Sequence, residues 1–370
     1  MRAICLAALA LICASVTVFA QDTQSEKARF RVVTVAGGLD RPWALAFLPD
    51  GRMLVSEKPG RMRVVTRDGT LSAALGGMPP VASLGQGGLL DVIVDREFGT
   101  SRTIFFCFSE PGEGGAGTAV ARARLGETEL EDVRVIFRQH PKVSGGLHFG
   151  CRIVLSREGL LYATLGERYN RDRAQDLATH LGKVIRIRPD GTVPPNNPFV
   201  NRSGALKEIW SYGHRNPQGA ALHPQTGKLW LHEHGARGGD EINIPGAGKN
   251  YGWPVITHGI DYSGAPIGIG KAAPGMEQPH YFWVPSIAPS GMAFYNGDAF
   301  PQWKGNLFVG ALAGQRLVRL ELDGETVKHE ERLLGDVGER IRDVRAGPDG
   351  LLYVLTDNSN GRILRLEPVR

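Results

Sequence analysis

Cysteine is scarce in this chain, with four in 370 residues. Cys5 and Cys13 lie in an apolar N-terminal run, so outside it only Cys107 and Cys151 remain, too few to staple a domain of this size. They form either one disulfide in an oxidising compartment or two buried apolar side chains. The fold must therefore stand on its own hydrophobic core. Helical periodicity is almost missing, which excludes a helical bundle. A basic run is missing too: the net charge of +5 is spread along the chain, so nucleic acid is not indicated as a partner. Beyond the N-terminus no segment is long and apolar enough to span a bilayer.

The N-terminus carries Arg2, then an apolar run from Ala3 to Ala20 broken only by Ser15 and Thr17. It ends in Val18-Phe19-Ala20 before the polar Gln21-Asp22-Thr23, the pattern of a cleaved signal peptide over residues 1–20. Residues 21–370 then form one domain, periplasmic or secreted.

Glycine is abundant, with 49 residues, and turn signals arrive every few positions, as in a chain of many short strands. One phrase recurs, a turn ending in Gly followed by an apolar strand. Clear copies are Pro49 to Glu57, Arg157 to Thr164, Gln225 to Glu233, Trp303 to Gly310 and Pro348 to Asp357; Phe98 to Phe106 is a weaker sixth. Half-exposed alternation follows in Gly361 to Leu366 and Gln315 to Leu320. Six such copies predict an all-β, six-bladed β-propeller, since a sandwich has no reason to repeat one phrase. The segment Pro194-Pro195-Asn196-Asn197-Pro198 reads as an ordered insertion between blades.

Four clusters carry candidate chemistry. Gly85 to Asp91 offers Gln86 in a glycine-lined turn, and Gly145 to Arg152 places His148 among glycines, an imidazole suited to general-base work near neutral pH. The richest stretch runs through Ser211 to Gly219, Glu233 to Asn243 and Asn250 to Pro254. There Arg215 and Asn216 supply donors for carboxylate or quinone oxygens, and Asp240 and Glu241 supply oxygen ligands of the kind Ca²⁺ takes. His232 and His234 share a strand face as a zinc pair would, but no third ligand is evident. Finally, Arg340 and Arg342 share a face at strand period, either solvated or awaiting an anion.

Together, Arg41-Pro42-Trp43-Ala44-Leu45-Ala46-Phe47, Tyr212 to Gly219, Gly239 to Asn243, Asn250 to Pro254 and Arg340 to Val344 resemble the glucose/sorbosone dehydrogenase family. Within it, the chain is similar to the soluble aldose sugar dehydrogenases that use pyrroloquinoline quinone (PQQ). The resemblance implies oxidation of the anomeric C1 hydroxyl of an aldose to a lactone, by general-base-assisted hydride transfer to PQQ, with electrons passed on to an external acceptor. It makes His148 the general base, and has Arg215 polarise the quinone. Gln86, Arg215, Asn216, Tyr262, Arg340 and Arg342 would hold PQQ. One Ca²⁺ falls on the carbonyls of Gly235 and Ala236, and a second near Glu241 and Tyr251. Ala236 replaces the family's usual Pro. Ala313 stands where relatives often place a Lys against the cofactor, leaving Gln315 or Arg316 to reach that space. A monomer or weak dimer is expected. Two rivals are a Ca²⁺-dependent propeller lactonase, for which an arginine pair has no use, and a non-catalytic recognition propeller.

Overall fold

The computed structural model describes residues 21–369, so the signal-peptide reading lies outside the described residues. The strands form six antiparallel sheets; five are meanders of consecutive strands, and the sixth joins the two N-terminal strands to the last three of the chain. Their first strands are Pro42–Phe47, Leu89–Val94, Gly150–Leu155, Pro217–Leu222, Pro289–Phe294 and Ile341–Ala346. Each contacts the first strand of the next sheet and the last contacts the first, which closes a six-bladed β-propeller around a central channel.

The recurring phrase proves to be the second strand of every blade: Met53–Glu57, Thr103–Gly112, Leu161–Leu165, Leu229–Glu233, Leu307–Ala311 and Leu352–Thr356. These strands are sandwiched between neighbouring blades and so are apolar on both faces. Ring closure comes from the N-terminal strand Arg29–Leu39, which pairs with the C-terminal strand Gly361–Pro368 from Phe30↔Pro368 to Leu39↔Gly361. The Pro-rich insertion is corrected. It lies inside the third blade, between Lys183–Ile187 and Ile209–Tyr212, where Asn197 Nδ2 donates to the carbonyls of Arg186 at 2.8 Å and Lys207 at 2.9 Å.

Every innermost strand breaks register against its partner within its first few residues. Such bulges bend a strand and re-aim its side chains. Here they turn the segments preceding the strands toward one mouth of the channel. Cys107 and Cys151 are disulfide-bonded with Cα atoms 6.1 Å apart, joining the second blade to the innermost strand of the third. Among the described residues no helix is long and apolar enough to cross a membrane.

Candidate active site

The segments leading into the innermost strands surround a cavity of about 720 Å³. Gln86, Arg340 and Arg342 line it, as do Arg41, Lys58, Gln218 and His234. Its wall carries four permanent or near-permanent cations, Arg41, Lys58, Arg340 and Arg342, against one carboxylate, Asp357. Asp357 Oδ2 accepts from Arg340 Nε and Arg342 Nη2, both at 3.0 Å. Burial opposes its charge, yet the two guanidiniums hold its carboxyl below the usual range. Lys58 has no carboxylate partner and donates only to the carbonyl of Gly85. Burial, then the neighbouring Arg342, pushes its ammonium pKa down.

His148 sits beside this cavity, connected to it through hydrogen bonds. Its backbone N–H donates to Gln86 Oε1 at 2.8 Å. Its ring is buried, with Nδ1 3.0 Å from Glu167 Oε2. The carboxylate accepts a hydrogen bond from Nδ1–H, which keeps the proton there and leaves Nε2 as the basic nitrogen. Burial lowers the imidazole pKa below 6.5; Glu167 pulls the other way, and Arg215 assists the lowering. His148 is therefore neutral near pH 7. Its loop makes so close an approach to the Gln86 turn that a side chain on Gly85, at φ +59°, would meet the carbonyl of Gly146.

From the fourth blade, Asn216 Oδ1 accepts from Gly150 N at 3.1 Å and Gln218 Nε2 at 3.2 Å, while its own Nδ2 is buried without a partner. Arg342 Nη1 reaches Gln218 Oε1 at 3.5 Å, which ties the sixth blade to the fourth. Arg215 is buried, donates from Nη1 to the carbonyl of His234 at 3.2 Å and lies over Trp253, with Nε unpartnered. His148, Arg215 and Arg342 thus converge on one mouth.

A second, small cavity of about 10 Å³ adjoins the first through His234 and is lined by Arg215, Glu233, Gly235, Glu241 and Tyr251. Asp240 is withdrawn as an oxygen ligand: its carboxylate accepts from Gly235 N, Ser286 Oγ, Ile287 N and Ala288 N. Glu241 is different. Burial, then the charge of Glu233, pushes its carboxyl up to about 8, a penalty that a cation placed there would remove. A side chain on Gly235 would meet the carbonyls of Gly238 and Gly239, so this turn is crowded with backbone oxygen. The His232 and His234 pair gains no third ligand. His232 is fully enclosed, His234 Nε2 is 2.7 Å from the carbonyl of Pro289, and no group of three or more His, Cys, Asp or Glu gathers for a metal among the described residues.

Of the expected cofactor contacts, Arg215, Asn216, Tyr262 and Ala313 do not line the main cavity; Arg215 lines the small one, and Asn216 is tied to the rim of the main one through Gln218. Tyr262 is 61% exposed on an outer loop. Ala313 is spent on a backbone hydrogen bond to Ile287, Arg316 folds back on the carbonyl of Gly314, and Gln315 is exposed. Lys58, from the first blade, adds a cation to the cavity wall. Glu167, Lys58, Arg41, Asp357 and Gln218 were not picked out as site residues by sequence reasoning.

The sequence model of the family described as Glucose / Sorbosone dehydrogenase matches residues 39–365. The chain is 50% identical to "Aldose sugar dehydrogenase YliI" of Escherichia coli (strain K12) over 97% of both chains. It superimposes on the apo-form crystal structure of the soluble aldose sugar dehydrogenase from Escherichia coli with a TM-score of 0.90 at 50% identity, covering 92% of this chain and all of that one. The PQQ-bound aldose sugar dehydrogenase from Streptomyces coelicolor matches with a TM-score of 0.76 at 30% identity, over 90% of this chain and 96% of that one.

Proposed function

The chain belongs to the glucose/sorbosone dehydrogenase family, and from that premise we propose that it is a PQQ-dependent aldose sugar dehydrogenase that oxidises the anomeric C1 hydroxyl to a lactone. The observation that carries this reading is the cavity itself: an anion clamp with an excess of cations beside an imidazole whose tautomer is set by a buried carboxylate. Its volume lies in the range of small-molecule sites, and its net charge of about +3 complements a tricarboxylate. A neutral lactone has no use for such a clamp, which weighs against the hydrolase. A recognition module has no use for a buried histidine-carboxylate pair.

Arg342, Arg340, Lys58 and Arg41 would hold the cofactor's carboxylates, with Gln86 and the free amide of Asn216 as further donors. Bound PQQ supplies a two-electron acceptor for the hydrogen on C1. His148 Nε2 takes the proton of the C1 hydroxyl, and Glu167 stabilises the imidazolium that results. Arg215, whose Nε is unpartnered, would stabilise the negative charge that develops on the acceptor. Ca²⁺ would be held by the carbonyls of Gly235 and Ala236, and a second ion by Glu241 and Tyr251, where the raised carboxyl of Glu241 would favour a cation. Electrons then leave to an external acceptor. The Cys107–Cys151 disulfide supports a periplasmic or secreted setting.

The test is to add PQQ and Ca²⁺ to purified apoprotein and follow aldose-dependent dye reduction, with a chelator-treated control. Turnover that needs both additions supports the reading; sugar-independent reduction, or none, ends it.

A further inference from the structure

Beside His148 stands an aromatic side chain that the chemistry above does not use. Tyr169 is 52% exposed, although its ring centroid lies 5.5 Å from that of His148, which is only 5% exposed. The phenol ring is therefore on the solvent side of the imidazole. Arg168 and Tyr169 have φ of +58° and +63°, two successive non-glycine residues in the left-handed region. Such a pair persists only where surrounding contacts impose it, and it concentrates at ligand sites.

Those contacts are present. The backbone N–H of Tyr169 donates to Glu167 Oε2, the same oxygen that holds His148, so ring and base are set from one atom. Arg168 donates to the carbonyls of Leu147 and, at 2.7 Å, Gly145, fastening the histidine loop to the same turn. Arg171 lies 5.9 Å from the Tyr169 ring and pairs with Asp261 at 2.6 Å, joining this turn to the loop that carries Tyr262.

We propose that Tyr169 is the platform on which the pyranose ring of the aldose lies while its anomeric hydroxyl meets His148 Nε2, an inference that rests on the reading above. The C–H groups on one face of a pyranose carry partial positive charge and match the negative face of an aromatic ring. Stacking fixes the height and tilt of the sugar, and the preference falls on aldoses whose stacked face bears no axial hydroxyl. The phenol oxygen has no part in this, so the ring is the determinant.

Steady-state kinetics of PQQ-loaded Tyr169→Ala, Tyr169→Leu and Tyr169→Phe with glucose test this, alongside PQQ affinity measured by fluorescence titration. The expected result is a KM raised about 2- to 10-fold in the Ala and Leu variants and restored in Phe, with PQQ affinity unchanged in all three. Any other pattern overturns the proposal. An unchanged KM with lowered kcat would mean that the ring serves His148, and weakened PQQ binding would mean that it serves the cofactor. Aldose oxidation by the wild type separates these failures from failure of the dehydrogenase reading itself.

Discussion

At the scale of single residues, the cavity wall holds more cations than carboxylates, and two side chains, His148 and Lys58, decide the chemistry. Because burial lowers the His148 pKa and Glu167 raises it, the base stays unprotonated to below pH 6.5. The acid limb of kcat/KM is therefore expected below that value. Glu167→Gln removes the raising influence, so the limb moves further to the acid side, and kcat falls on the order of 100-fold because the amide no longer fixes the tautomer. His148→Ala should lose about 10²- to 10⁴-fold in kcat while PQQ affinity is retained. A pH-rate series on the three proteins checks both statements; an acid limb above 6.5 in the wild type contradicts them. Lys58 is the second such residue. Lys58→Met is expected to weaken PQQ binding about 10- to 100-fold and to reduce the salt dependence of that binding. An unchanged affinity in a fluorescence titration would remove Lys58 from the clamp. Neither Glu167 nor Lys58 stood out in the sequence, because a charged residue just after an apolar strand looks like ordinary solvated surface.

At the scale of elements, Glu167 belongs to a recurring set of acids. Glu57, Glu167, Glu233 and Asp357 all sit at or just beyond the end of a second strand, opposite the segment that leads into the innermost strand of the same blade. Antiparallel pairing puts them there, and each binds that segment: Glu57 accepts from Asp40 N, Glu167 pairs with His148, Glu233 accepts from Arg215 N, and Asp357 holds Arg340 and Arg342. The acid closes three copies of the repeated phrase and follows a fourth by three residues, a signal open to sequence reading once the phrase is known to be a second strand. The blade count was legible because glycine turns and doubly buried strands leave a strong local pattern. The innermost strands were less so: Pro289–Phe294 is buried throughout and does not alternate. Their bulges depend on register, which no local pattern reports. The disulfide acts at this scale, joining the second blade to the strand that follows His148 across a separation of 44 residues. Chain entropy puts its contribution at about 4 kcal/mol, so Cys107→Ser/Cys151→Ser should lower the denaturation midpoint by a corresponding amount. It should also reduce kcat more than PQQ affinity, since the His148 loop loses its anchor. Urea titration with parallel kinetics distinguishes this from a purely remote effect.

For the whole molecule the decisive feature is how the ring is held shut under the site. Arg152 from the third blade is buried in the channel, 3.1 Å from Asp91 of the second and 3.0 Å from Asp343 of the sixth, and its Nε donates to the carbonyl of Gln218 in the fourth. Arg345 binds the same two carboxylates at 2.6 and 2.7 Å, and Asp343 also accepts from Leu45 N of the first blade. Five blades thus meet in one ionic knot between side chains far apart in the sequence, which is why no motif announced it. The knot is also the floor of the site, because the Arg152 guanidinium lies 4.2 Å from the ring of Trp43, which lines the main cavity. Replacing a buried ion-pair member leaves its partners charged and dry, a loss of about 3–5 kcal/mol. Arg152→Met is therefore expected to lower unfolding stability by that amount, with Arg345 left to neutralise two carboxylates. Adding Asp343→Asn should recover part of the loss, with a coupling of about 1 kcal/mol or more in a double-mutant cycle read by urea denaturation. Strictly additive losses would mean that the blades are held by their strand edges and apolar faces alone, and that the channel charges serve only the ligand above them.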